Sequence, residues 1–155
     1  MSDVTREQIL DAQQSWGDGI VRISKAHVDG QDFEAVARDH IETLYGYGDG
    51  PVLFKPTLAA EAQFRSSFAA ALSYFVATNN ECPEDTGFAI KGWTAVRFEN
   101  VDIITVGSTA TAMGNYFFTT PEGDEVKVEY SFGYYVDDAG AVRINLHHSS
   151  MPYSG

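Results

Sequence analysis

Apolar residues recur at spacings of three and four over the first half of the chain and alternate with polar ones over the second, so helices precede strands. Ile9, Ala12, Trp16, Ile20 and Ile23 form one helical stripe, and Thr5 with Gln8 supplies a capping box at its start. Gly17 and Gly19 each lower helix propensity by about 1 kcal/mol relative to alanine, which calls for another element packed closely against this helix. Asp29-Gly30 ends the run. A second helix starts at Asp32, whose carboxylate can cap it, and its buried stripe is Phe33, Val36, Ala37, Ile41 and Leu44. Tyr45 to Pro51 holds three glycines and a proline and reads as a loop, with its tyrosines at a pocket mouth or packed over the helices. After the short apolar run Val52-Leu53-Phe54 comes Lys55-Pro56-Thr57, where Thr57 either caps a helix or turns its hydroxyl inward. A third, alanine-rich helix is predicted from Leu58 or Glu61 to Thr78, with Phe64, Phe68, Leu72 and Phe75 as its bulky stripe. Tyr74 lies on another face, among Ser67, Ala70, Ala71 and Thr78.

Polar residues from Asn79 to Gly87 mark a connection, and everything beyond reads as β. Strands are predicted over Lys91 to Glu99, Val101 to Val106, Thr109 to Thr120, Glu125 to Val136 and Ala141 to Ser150, separated by short turns that make hairpins. The expected architecture is α+β, a single domain over 1–155. Three N-terminal helices pack on the concave side of a bent, mostly antiparallel sheet, the cone of nuclear-transport-factor-2-like folds. In the last strand Val142, Ile144 and Leu146 alternate with Arg143, Asn145 and His147. If the first set is buried, strict alternation carries His148 and Ser150 onto the inner face.

With 22 acidic against 10 basic residues the formal charge is −12, and no basic cluster offsets it locally. Phosphate backbones and anionic lipid surfaces are repelled, which argues against nucleic acid and membrane partners and in favour of a small solute. The single cysteine, Cys82, has no internal partner and fits a reducing compartment. The N-terminus carries no basic start followed by an apolar run, so a cytoplasmic location is expected.

Candidate chemistry is concentrated in the last strand. His147 and His148 are successive strand residues, point to opposite faces and cannot jointly hold one ion. No HxH, HExxH or CxxC accompanies them. There is no G-x-S-x-G elbow for a serine nucleophile, and the glycine-rich loop lacks the Lys-Ser/Thr ending of a phosphate cradle. Isomerase-like chemistry would need an inward carboxylate, for which Glu99, Asp102, Glu125 and Glu129 are the strand candidates. His27 and His40 read as surface or core-edge histidines of the first two helices.

The terminal His147-His148-Ser149-Ser150-Met151-Pro152 resembles the HHSSxP signature of the iota-class carbonic anhydrases, and the likeness extends through Lys55-Pro56-Thr57, the Tyr74 helix and the β meander. It implies interconversion of CO2 and bicarbonate, metal-free in some members and associated with zinc or manganese in others, with the metal-free form favoured here. By that resemblance the hydroxyls of Thr57, Tyr74 and one serine of Ser149 and Ser150 hold water and bicarbonate, and His147 or His148 accepts or relays the proton. Strict alternation favours His148 and Ser150, spacing along the family pattern favours Ser149, and a bulge would reconcile the two. A non-enzymatic ligand-binding or dimerising module on the same cone is the alternative. Tyr116, Phe118, Tyr130, Phe132, Tyr134 and Tyr135 give both sheet faces apolar surface, so a homodimer is expected.

Overall fold

The computed structural model describes residues 3–155; the first two residues, on which the reading of the N-terminus partly rests, lie outside it. Helix α1 spans Arg6–Val28 and opens on the expected capping box, in which the Thr5 hydroxyl accepts from Gln8 N and the Gln8 side chain accepts from Thr5 N. Helix α2, Phe33–Leu44, is capped by Asp32 as expected. A short strand β1, Leu53–Lys55, leads to helix α3, Phe68–Val76. A single 3-10 turn at Phe88–Ile90 precedes β2 (Ala95–Val106), β3 (Thr109–Thr119), β4 (Glu125–Val136) and β5 (Val142–Ser150).

The sheet order is β1-β5-β4-β3-β2, antiparallel throughout except for the parallel pair of β1 and β5. The two N-terminal helices cross its inner face, where the side chains of Ile9, Trp16, Ile20 and Ile41 meet Tyr116, Phe118, Phe132 and Ile144 in one buried core. At Gly17 a Cβ would sit 3.2 Å from the Val96 Cβ of β2, and at Gly19 it would fall on the His40 ring of α2, at Nδ1. The close approach expected from the glycines is therefore present, and alanine in place of Gly17 would press on the sheet.

Three departures from expectation have physical causes. The third helix begins at Ser67, whose side chain caps Ala70 N, and residues 58–67 form an irregular loop instead of two helical turns. The Glu84 carboxylate accepts from the backbone N–H groups of Ala60, Glu61 and Ala62, and the buried Arg65 guanidinium donates to the Ala62 and Ala70 carbonyls and to both oxygens of Asp85. Backbone groups that a helix would pair are satisfied by side chains instead. Phe64, expected in the buried stripe, is exposed as a result. The strands expected over Lys91 to Glu99 and Val101 to Val106 are one strand with a bulge between Asn100 and Asp102.

The third departure sets which residues of the last strand face inward. In β5 the register against β4 shifts between Leu146, paired with Gly133, and Ile144, paired with Tyr134, leaving Asn145 as an extra residue. One inserted residue reverses the alternation beyond it. Ile144 faces inward, and after the bulge it is His147 and Ser149 that are buried, whereas His148 is exposed and Ser150 half-exposed. The alternation that favoured His148 and Ser150 is corrected by this bulge. Gly133 makes room for it, because a Cβ there would lie 2.8 Å from the Leu146 Cβ.

Candidate active site

Thr57 sits in the turn after β1, and the parallel pairing of Lys55 with His148 brings that turn beside the end of β5. Its hydroxyl oxygen is 2.6 Å from the Ser149 Oγ. Ser149 in turn is 2.5 Å from the Tyr116 phenol of β3, which is 3.0 Å from His147 Nε2. On the far side of the imidazole, Nδ1 is 2.8 Å from the Tyr45 hydroxyl, and that oxygen accepts from the Trp16 indole N–H at 2.9 Å. One unbroken line of polar groups therefore runs from half-buried Thr57 into the centre of an aromatic core.

Tyr74, on α3, stands beside this line. Its phenol oxygen accepts from the Leu58 backbone N–H at 3.2 Å and lies against Thr57. One lone pair of that hydroxyl is thus occupied, and its hydrogen is what it can offer on the Thr57 side. Tyr74 stacks on Phe88, Phe88 meets Phe118 edge to face at 5.1 Å, and Phe118 meets Tyr116 at 4.8 Å. These rings join the two phenols in an apolar wall next to the hydroxyls.

None of these groups is charged near neutral pH. Burial holds the His147 imidazole well below its ordinary value, with the neighbouring His148 and His40 adding to the effect. Burial pushes the Tyr74 phenol up to about 12, and Tyr116 higher still, against lowering by hydrogen bonds to the hydroxyls. These groups offer hydroxyl hydrogens and lone pairs and carry no charge of their own; the Arg65 guanidinium stands 5.6 Å from the centre of the Tyr74 ring.

Among the sequence candidates, Thr57, Tyr74, Ser149 and His147 come together; His148 and Ser150 face the outer side of the sheet, where the Ser150 hydroxyl donates to Glu129. The strand carboxylates are all exposed. Glu99 and Glu125 pair with Arg97, and Asp102 with Arg6, so no inward acid exists on the strands for isomerase-like chemistry. Sequence reasoning missed Tyr116, Tyr45 and Trp16, which read as core or pocket-mouth aromatics; Tyr116 shares the inner face of β3 with Phe118, the one available hint. Among the described residues no group of three or more His, Cys, Asp or Glu side chains is placed to hold a metal ion.

An α+β cone with a buried hydroxyl cluster at the open end of its last strand defines the class. The model of the metal-independent carbonic anhydrases matches residues 7–151. A metal-independent carbonic anhydrase of Nostoc sp. strain PCC 7120 is 42% identical over 153 residues, covering 97% of this chain and 75% of the relative. The crystal structure of a cyanobacterial iota-carbonic anhydrase complexed with bicarbonate superposes with a TM-score of 0.96 at 40% identity, over 99% of this chain and 95% of that one. A nuclear-transport-factor-2-like protein of Pseudomonas putida, at 14% identity and a TM-score of 0.57 over 96% of this chain and 87% of that one, shares the fold. The chain belongs to the metal-independent, iota-class carbonic anhydrases, lyases that interconvert CO2 and bicarbonate without a metal cofactor. The alternative of a non-enzymatic module gives way to this membership.

Proposed function

We propose that Thr57, Tyr74 and Ser149 hold the carbonate oxygens and the attacking water, with Tyr116 and His147 supporting Ser149 from the core side. The observation that carries this reading is the 2.6 Å contact between Thr57 and Ser149 at the half-buried end of the polar line, with the Tyr74 phenol beside it. In hydration the water oxygen bonds to carbon, a C–O π pair moves onto oxygen, and a water proton leaves to solvent. Preorganised hydroxyl donors stabilise the charge that develops on the carbonate oxygens, and the wall of Phe88 and Phe118 suits an apolar gas. Because the imidazole of His147 stays neutral, it supports the cluster and is not the titrating base. Bicarbonate-soaked crystals test the placement: density for the ion within hydrogen-bonding distance of Thr57 and Ser149 is expected, and density confined to the outer face at His148 and Ser150 would refute it.

As a coarser part of the same reading, the protein works as a single domain and as a homodimer in the cytoplasm. Val101 and Met113 expose apolar surface on the outer sheet face, around a hollow of about 390 Å³ that includes His148 and Ser150, and a second copy fits such a self-complementary face. No helix among the described residues is long and apolar enough to cross a membrane. Sedimentation showing only the 17.0 kDa species at micromolar concentration would remove the dimer.

A further inference from the structure

Trp16 and Tyr45 lie too deep to touch substrate, yet their hydrogen bonds decide which way every hydroxyl in the line points. The indole N–H is a donor only, so Tyr45 must accept from it. Among the described residues the Tyr45 hydroxyl has one remaining partner, His147 Nδ1, and its own hydrogen must go there. A hydrogen stranded in this core would cost about 1–3 kcal/mol. Nδ1 is therefore the acceptor, and the neutral ring carries its hydrogen on Nε2, where it donates to Tyr116. Tyr116 then donates to Ser149.

The consequence follows from counting. Nε2–H and the hydroxyls of Tyr116, Ser149 and Thr57 bring four hydrogens to three mutual hydrogen bonds, so one is left over at the Ser149 and Thr57 end. In the opposite tautomer three hydrogens serve the same three bonds, and that end offers only lone pairs. We infer that Trp16 and Tyr45 are positioning residues that lock His147 in its Nε2–H tautomer, so that the Ser149 and Thr57 pair presents a donor to the carbonate oxygens. The lock also closes the inward route for a proton: Nε2 is already occupied, so a proton entering at Thr57 has no vacant nitrogen to reach. The titratable groups around the ring are Tyr45 at the C-cap of α2, His40 within α2, Tyr116 from β3 and the adjacent His148; Trp16, Phe54 and Phe132 pack against it.

This inference rests on the proposed site for its catalytic meaning, and its test separates the two. Nitrogen-15 spectra of histidine-labelled protein, assigned by substituting the other histidines one at a time, are expected to show His147 protonated at Nε2 and unprotonated at Nδ1 from pH 6 to 9. A wild-type Nδ1–H signal, or an averaged one, overturns the lock and leaves the site assignment standing. Trp16→His then places a possible acceptor where the indole offers only a donor. The expected result is an Nδ1–H population of His147 together with a kcat for CO2 hydration about tenfold lower and little change in KM, the signature of a lost transition-state donor. The same population with kcat unchanged overturns the positioning role. Should Trp16→His fail to fold, the wild-type spectrum still decides the polarity. Full activity in Thr57→Val and Ser149→Ala beside the expected wild-type spectrum would instead remove the site and keep the lock.

Discussion

The hydroxyl oxygens of Thr57 and Ser149, 92 positions apart in the chain, lie 2.6 Å from each other. Only the parallel pairing of β1 with β5 brings the first of them to the second, and only the bulge at Asn145 turns the second inward. Ser149→Ala removes a single donor while leaving the strand paired. By analogy with other preorganised donors, kcat is expected to fall about 10²- to 10³-fold, measured by stopped-flow CO2 hydration.

On the outer face the expectation is reversed. His148→Gln and Ser150→Ala alter exposed or half-exposed groups, so activity should stay within about twofold of wild type. Losses as large as those at Ser149 in either variant would mean that the strict alternation, and not the bulge, sets the working face.

Two buried neutral histidines tie stability to pH. Burial lowers His40 to about 3, chiefly by desolvation, and holds His147 well below 6.5. In the unfolded chain both titrate near their ordinary value, so below it the unfolded state binds more protons than the folded one. Stability is therefore full above about pH 7 and falls as pH drops through 6, by on the order of 1 kcal/mol per pH unit for each histidine. Urea unfolding at pH 7.5 and pH 5 measures the slope; equal stabilities would place charge, and not neutral imidazole, in the core.

Within the site no side chain changes charge between pH 6 and 9, since Tyr74 lies at about 12 and His147 far to the acid side. Hydration rates extrapolated to zero buffer should then show no inflection from the cluster over this range. An inflection near 7 that survives His148→Gln would identify a titrating group inside the cluster.

Much of the fold was legible because it follows from local pattern: the capping box at Thr5, the Asp32 cap and the strand alternation in β3 and β4 each depend on neighbours a few residues away. What escaped depends on distant partners. The alanine-rich stretch after Thr57 has helical composition, but Glu84 and Asp85, over twenty positions on from Ala60, hold it and Arg65 in a loop. The bulge at Asn145 belongs to the pairing of two strands, and only the glycine at 133 hints at it. The six-residue signature pointed to the last strand; which of its side chains face the core was a matter of register. Trp16 and Tyr45 carry ordinary core patterns, and nothing in one sequence tells a packed ring from one that orients a hydrogen.

Arg65 and Asp85 form a fully desolvated, two-point ion pair at 2.7 Å beneath the loop that follows Thr57. Asp85→Ala removes the two-point partner and leaves the buried guanidinium with the more distant Glu84 carboxylate, 3.9 Å away, at an expected cost of about 3 kcal/mol in chemical denaturation. Unchanged stability would show that Glu84 and the carbonyls of Ala62 and Ala70 suffice to hold Arg65.

The most direct measurement is CO2 hydration by chelator-treated, metal-analysed protein, run beside Thr57→Val under the same conditions. The expected result is wild-type activity unaffected by chelation and a loss of about 10²-fold or more when the Thr57 hydroxyl is replaced by a methyl group. Activity that disappears on chelation, or a Thr57→Val variant as active as the wild type, would contradict the account.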